Sequence, residues 1–416
     1  MKPLDSQEAK ANRQRVVVTA AETLCAAGEG RQSLMHGLAQ HQCLGSPSGY
    51  SLPISLVARY QETLPDMPEF LDDRKSLLGW HCAQRTIAQS GWKPQQSDAK
   101  VVVFVGTGLS SITPYEMNED LFGHIVDNRF DRQAMAKDIR THLAAPKRHM
   151  PHYFGERLAA SLGAVRSGSN FSACAAASQA IAAGFWSVRR GEADVALVGG
   201  HDSMDHPMGL LSFLVLGALS ENTCKPFDVE RNGFMLGEGA GMLLLESYEH
   251  AVGRNATILA EVLGAGSSMD AWNPTAPHPQ GEGAERAMRR ALRDANLSPT
   301  VVDYVNAHGT GTPLGDVAES QAISRVCGPD VAVSSIKGAI GHCIAAAGAV
   351  EAVACVGMLE EGWMAGTTGL MNRDPNCPSH NLGEPVQKAP QVVMSNSFGF
   401  GGQNASLVLA KSAVVE

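Results

Sequence analysis

No two cysteines in this chain stand in C-x-x-C spacing, and the nine present are odd in number and scattered through 416 residues. That disfavours a disulfide framework or a zinc ribbon, leaves no metal site to expect, and implies a reducing, cytoplasmic setting. Apolar runs are short as well: none approaches the ~18 residues of a membrane-spanning helix. The first fifteen residues are polar and of mixed charge, unlike a secretory leader. Positive charge is in deficit, with 33 basic against 42 acidic residues and a net charge of −9. This argues against a general nucleic-acid binder, and an acidic partner would need a local basic patch. Short-period repeats and low-complexity segments are missing too, which sets aside solenoids and disordered tails.

What remains is ordinary globular material, 44% hydrophobic and 18% charged, in a chain long enough for two core units. Strand-like runs at Val101–Val105, Val195–Val198, Met242–Leu245, Val301–Val305, Val331–Ser334 and Ser406–Leu409 alternate with helical ones, which predicts an α/β fold with buried strands. Ala284, Ala287, Met288, Ala291, Leu292 and Ala295 recur at helical spacing with arginines on the other face, the pattern of a surface helix. Arg254–Asn255 precedes a further strand-like run, Thr257–Val262, and divides the chain into halves 1–254 and 255–416. The longer first half carries its surplus in about residues 107–165, rich in Pro, His, Met and charge, as expected of loops around a site or interface.

Within NFSACAAASQAIAAGFW, Cys174 heads an apolar segment that ends in Arg189, Arg190 and Gly191. The spacing predicts a buried helix with Cys174 at its N-terminus, where unpaired N–H groups and the helix dipole would favour thiolate over thiol. A strand–turn–helix corner would also expose the sulfur as a nucleophile elbow does. An isolated cysteine among alanines is ordinarily core filler, so other residues must decide. In VNAHGTGTPLGDVAES, His308 leaves a strand-like run into a Gly/Thr loop, and in SSIKGAIGHCIAAAGAVEA, Lys337 and His342 sit in a glycine-punctuated turn. The three glycines of SNSFGFGGQN would let backbone N–H groups approach a ligand, as an oxyanion hole requires.

These residues resemble the β-ketoacyl-[acyl-carrier-protein] synthases of the elongating type, in the thiolase superfamily. The matches are SAC at Ser172–Cys174, KPFDVERNGFMLGEGAG at Lys225–Gly241, NAHGTGTPLGD at Asn306–Asp316, SSIKGAIGH at Ser334–His342 and NSFGFGG at Asn396–Gly402, in the family's order. The resemblance implies an α/β, thiolase-like five-layer αβαβα fold of two similar halves, working as a homodimer or as a heterodimer with a paralogous subunit. It implies an acyl carrier protein as partner, no free cofactor beyond the phosphopantetheine arm that the carrier brings, and decarboxylative condensation with a malonyl thioester.

Carried over residue by residue, Cys174 would accept the acyl chain, and His308 and His342, kept neutral by the nearby Lys337 ammonium, would hydrogen-bond the malonyl thioester carbonyl. Glu319 would support the lysine. The N–H groups of Cys174 and Phe400 would form the oxyanion hole, with the Phe400 ring as a gate. Thr310 and Thr312 would contact the pantetheine arm, and Phe398 would join Phe400 in lining the substrate site. Arg74 and Lys75 are the candidates for docking the acidic carrier. The chain departs from the family at Ala20–Glu22, where members have a glycine-rich turn, and at GGQN in place of the commoner GGTN. Fatty-acid elongation and a specialised polyene or polyketide pathway both stay open. A thiolase would want a second cysteine in the C-terminal glycine loop, and a starter-type synthase an asparagine at His342. A chain-length-determining subunit would lack Cys174, and a thioester hydrolase would not need two histidines on separate loops.

Overall fold

The computed structural model describes residues 13–67, 69–70, 73–108, 122–127, 129–134, 137 and 150–412. Much of the 107–165 surplus lies outside these residues. Eleven strands form one continuous mixed sheet beside a minor two-residue strand: β1 (Val16–Cys25), β2 (Val101–Thr107), β3 (Arg166–Asn170), β4 (Val195–Asp202), β5 (Gly239–Ser247), β6 (Ala260–Met269), β7 (Tyr304–Asn306), β8 (Ala332–Ser334), β9 (His380–Asn381), β10 (Val392–Gly399) and β11 (Gln403–Ala410). The expected strand at Val301 starts at Tyr304 instead, because Pro299–Val301 closes a 3-10 turn with Pro299 at its head. The run expected from Thr257 begins at Ala260.

Strand order reveals an internal repeat. In the first half the order is β3-β2-β4-β5-β1, and in the second β8-β7-β10-β11-β6, with β9 added at the edge. Each five-strand repeat has two parallel pairings, β2 with β3 and β4 in the first and β7 with β8 and β10 in the second, to which β9 adds a third by pairing with β8. Two antiparallel pairings follow, running β4-β5-β1 and β10-β11-β6. The halves join where β1 meets β6 through Val17 opposite Glu261 and Val18 opposite Ala260.

Among the helices of the described residues, six bear on the site and its frame: α1 (Arg74–Ser90), α2 (Ala176–Arg189), α3 (Pro207–Val215), α4 (Glu282–Ala295), α5 (Pro313–Cys327) and α6 (Ala347–Glu361). α1 covers the outer face of the first half-sheet and α4 that of the second, while α2 and α6 lie against each other between them. α4 buries Ala284, Ala287, Met288, Ala291 and Leu292 on one face, as its periodicity predicts. α6 has no solvent face until its last turn; every residue from Ala347 to Leu359 is buried. Small residues permit this central layer. A Cβ on Gly106 would lie 2.3 Å from the Ala177 nitrogen, and one on Gly348 would meet the Ser178 hydroxyl, so β2, α2 and α6 approach as only glycine allows. Among the described residues no helix is long and apolar enough to cross a membrane.

Candidate active site

Cys174 lies in a 3-10 turn, Ala173–Ala175, that runs into α2. Ala173 has φ 47°, a left-handed conformation that turns the chain sharply and presents the next side chain, Cys174, towards the second half. The sulfur is 3.1 Å from His342 Nε2. The N–H of Ile344 donates to His342 Nδ1 at 3.2 Å, so the ring proton sits on Nε2 and points at the sulfur. The His308 ring stands edge-on to that of His342 with centroids 5.3 Å apart, and 6.0 Å from Phe398. Three loops from two halves thus converge on one point, and the donor atoms of Cys174, His308 and His342 lie within 4.8 Å of one another.

The electrostatics differ from the sequence expectation at the cysteine. Burial pushes the Cys174 thiol up to about 12, the Lys337 ammonium opposes this, and Asp202 and Glu351 reinforce it. The largest of these effects is the solvation lost at a residue only 6% exposed. For both histidines burial dominates and Lys337 adds to it, which holds His308 and His342 well below the ordinary imidazole range and therefore neutral.

The lysine is not held by Glu319. Its Nζ pairs with Glu351 on α6, and both side chains are buried. Glu319 instead accepts the N–H groups of His308 and Gly309 at 2.8 Å each, and so fixes the loop that carries the histidine rather than the lysine. Burial raises both carboxyls to about 7, each opposed by the hydrogen bonds it accepts. Glu351 escaped sequence reasoning although a signal existed: it is the one acid in the first thirteen residues of α6, the others being alanine, glycine, valine, cysteine, methionine and leucine. Asp316 is a second missed residue. It accepts from Gly311 N at 3.1 Å and Phe227 N at 2.7 Å, tying the Gly/Thr loop to the segment before β5.

A cavity of about 390 Å³ opens over the sulfur and is lined by Cys174, His308, His342, Thr310, Phe398 and Phe400 among others. Thr310 and Thr312 bond each other, hydroxyl to hydroxyl, at 3.0 Å on its wall. The N–H of Phe400 meets the Cys174 sulfur. A Cβ on Gly399 would lie 3.1 Å from the Cys174 nitrogen and 3.0 Å from the Ser172 carbonyl oxygen, so the glycine loop reaches the nucleophile because position 399 lacks a side chain. Arg74 and Lys75, the candidates for docking the carrier, are not part of this convergence: the Arg74 side chain keeps 40% of its surface exposed, whereas Lys75 lies inside. The Arg74 guanidinium is committed to the buried Glu238, and Lys75 is only 5% exposed. Two neutral imidazoles, one sulfur and two nearby N–H groups make a site for acyl chemistry on a thioester; the same spacing would also admit a soft cation with sulfur and nitrogen ligands.

Comparison with known proteins agrees. The family model described as beta-ketoacyl synthase, N-terminal domain, matches residues 58–251, and the C-terminal domain model matches residues 259–371. Nodulation protein E of Rhizobium meliloti is 36% identical over 411 residues, 94% of this chain and 98% of that protein. A 3-oxoacyl-[acyl-carrier-protein] synthase 2 of Staphylococcus aureus is 40% identical over 253 residues, 59% of this chain and 61% of its own. Among solved structures, a beta-ketoacyl synthase from Burkholderia phymatum superposes with a TM-score of 0.84 at 30% identity, covering 96% of this chain and 99% of that one. A type II polyketide ketosynthase solved with its acyl-carrier protein gives 0.84 at 25% identity, over 96% and 100% of the two chains. By sequence, fold and the converging cysteine and histidines, the chain belongs to the β-ketoacyl synthase family of acyltransferases, with its thiolase-like fold of two similar halves.

Proposed function

We propose that the chain joins an acyl group held on Cys174 to a malonyl group on an acyl carrier protein, releasing carbon dioxide and giving a 3-oxoacyl-carrier protein. The observation that carries this reading is the 3.1 Å approach of His342 Nε2 to the Cys174 sulfur, with the neutral His308 ring beside it. In the first step the sulfur attacks the thioester carbonyl of the donor. The carbon–sulfur bond to the pantetheine arm breaks, and the thiol proton ends on the departing sulfur. The oxyanion formed in between is met by the N–H groups of Cys174 and Phe400, donors of a kind worth ~10²–10³ each in rate.

In the second step the malonyl thioester carbonyl takes hydrogen bonds from His308 and His342. Its carbon–carbon bond to the carboxylate breaks, the electron pair becomes an enolate, and the enolate carbon attacks the acyl group on Cys174. The thiolate expelled takes a proton from solvent. Neutral imidazoles suit this task because they donate to a developing negative charge without adding a general base, which the chemistry does not require. Burial keeps them neutral and Lys337, paired with Glu351, adds to it, Glu319 positions His308, and Phe400 gates access to the sulfur beside Phe398. Thr310 and Thr312 contact the pantetheine arm that the carrier brings, and the condensation uses no separate cofactor.

Residues 1–254 form the half that carries the nucleophile, and 255–416 the half that carries both histidines. The setting is a cytoplasmic fatty-acid, polyene or polyketide pathway. The working unit is a homodimer or a heterodimer with a paralogue; one structural neighbour is a ketosynthase with its chain length factor. The test is acylation of the protein by carrier-bound acyl thioesters of varied length and unsaturation, read by intact mass and peptide mapping, with Cys174→Ala as control. A Cys174 adduct that grows by two carbons only when malonyl carrier protein follows is the expected result. Absence of any adduct would point to a silent partner subunit, and steady release of free acid to a hydrolase.

A further inference from the structure

We propose that Asp202 is a positioning residue: from the end of β4 it pins the turn that follows His342 and so keeps the His342 ring aimed at the Cys174 sulfur. The proposal rests on the condensation put forward above and adds a residue, from the other half of the chain, that keeps one of its two hydrogen-bond donors in line.

The chain beyond His342 is costly to hold. Ile344 has φ 46°, a left-handed conformation in which a β-branched side chain crowds its own backbone. It opens the 3-10 turn Ile344–Ala346 that leads into α6. Its N–H is also the group that donates to His342 Nδ1 and so leaves the ring proton on Nε2, facing the sulfur. A relaxed Ile344 would carry that N–H away, and the ring would lose both its tautomer and its aim. The main chain of His342 is tied on either side, its N–H to the Met235 carbonyl at 2.8 Å and its carbonyl to the Gly237 N–H at 3.0 Å. What needs holding is therefore the turn after it.

Asp202 supplies the tie. Its Oδ2 accepts the N–H of Ala345, the residue after Ile344, at 3.1 Å. The side chain is buried, and its Oδ1 has no hydrogen-bond partner. Burial raises its carboxyl, while the Lys75 ammonium and the N–H groups of Ala345 and Ser203 oppose this. A buried carboxylate with an idle oxygen is an expensive way to satisfy backbone N–H groups, and a turn that needs a fixed acceptor accounts for it. Glycines leave the room in which the two meet: a Cβ on Gly108 would lie 2.8 Å from Asp202 Oδ1, and one on Gly200 3.1 Å from the Ala345 carbonyl oxygen.

The internal repeat shows what the carboxylate replaces. β4 and β10 hold equivalent places in the two half-sheets, and α2 and α6 lie against each other between them. The end of β10 comes to Cys174, where a Cβ on Gly399 would lie 3.1 Å from the cysteine nitrogen, and the bare glycine leaves that N–H open to an oxyanion. The end of β4 comes to Ala345, and there the strand closes on Asp202, whose carboxylate takes the N–H that faces it. One corner keeps its N–H for the substrate. The other has it filled by an anion of the chain itself, which leaves that corner a single task, the presentation of His342.

The experiment loads an acyl group onto Cys174 and then follows carbon dioxide release from malonyl carrier protein in single turnovers. Asp202→Ala should lower the maximal rate about tenfold or more, with the half-saturating malonyl carrier concentration and the rate of the preceding acylation each changed less than about threefold. Asp202→Asn keeps an oxygen facing Ala345 and should stay within about threefold of the unaltered rate. Ile344→Gly removes the left-handed cost but keeps the N–H that His342 needs, so adding it to Asp202→Ala should raise the rate about threefold or more. Acylation and decarboxylation falling together would make Asp202 merely structural and overturn the proposal, as would an Asp202→Ala rate near that of the unaltered protein. Should Asp202→Ala not fold, Asp202→Asn carries the test: a rate within about threefold upholds the acceptor role, and a loss of about tenfold overturns it. An unaltered protein that takes up no acyl group, or releases no carbon dioxide once loaded, would instead overturn the condensation reading itself.

Discussion

Two corners of this molecule share a backbone and do different work. At Ser172–Ala176 a 3-10 turn entered through Ala173, φ 47°, leads into the buried helix α2. At Cys343–Ala347 a 3-10 turn entered through Ile344, φ 46°, leads into the buried helix α6. The residue after the left-handed one is Cys174 in the first corner and Ala345 in the second. Ala345 spends its N–H on Asp202 at 3.1 Å and carries no reactive atom, while His342, two residues ahead of Ile344, is what the second corner sends across to the sulfur. The repeat of the half-sheets repeats the corner, and the halves have divided nucleophile and donor between them. A left-handed conformation costs a non-glycine residue about 1–2 kcal/mol, more tellingly for a β-branched one. Its presence at both corners fits a turn that the surrounding layers impose.

The sharpest way to break the comparison is to exchange the sulfur. Cys174→Ala should abolish the acyl adduct and lower condensation by roughly 10³-fold or more. Adding Ala345→Cys to that variant should restore nothing, because Ala345 bonds Asp202 through its N–H and is not among the residues that line the cavity of His308 and His342. Recovery of even a tenth of the activity would show that corner geometry alone suffices.

Next in size is the buried pair that serves both corners. Glu351→Gln leaves the Lys337 ammonium without its counterion, which should cost about 3–5 kcal/mol in chemical denaturation. Lys337→Met together with Glu351→Leu should recover most of that stability without restoring decarboxylation of malonyl carrier protein. If the double variant decarboxylates normally, the pair is only structural.

The pH response of the sulfur is the third test. With its thiol pushed up to about 12, Cys174 is protonated at neutral pH, so the reactive thiolate fraction grows about tenfold per pH unit up to that value. Iodoacetamide labelling at Cys174, followed by peptide mass, should therefore still climb at pH 9. A plateau below pH 8 would restore the helix-dipole picture. The smallest effect belongs to the turn: Ala173→Gly relieves the left-handed strain but loosens the unfolded chain, a net change below about 1 kcal/mol with acylation retained. A large loss of acylation would mean that the Ala173 methyl positions the sulfur.

Much of the fold was legible because buried parallel strands write themselves as β-branched runs and α4 as a period of 3.6. The motif residues were legible for a related reason: glycine where a side chain cannot fit, as at Gly399, and lone polar residues in apolar surroundings. Where the reading went wrong, the cause was a partner distant in sequence. Glu319 and Glu351 are both buried acids on helices, and only the packing of α6 between the half-sheets gives Lys337 to the second. Arg74 and Lys75 read as surface charge until α1 lay across the first half-sheet and turned one towards Glu238 and buried the other.

By itself, then, the sequence determined the alternation of strands and helices, the cysteine at the head of an apolar helix, and the two histidine loops, because each is encoded in local periodicity and in glycine positions. The tertiary structure alone decided which carboxylate holds Lys337, that the thiol rests protonated, and that Asp202 meets the turn after His342. Each of these depends on burial and on the meeting of segments far apart in the chain, and desolvation has no local code.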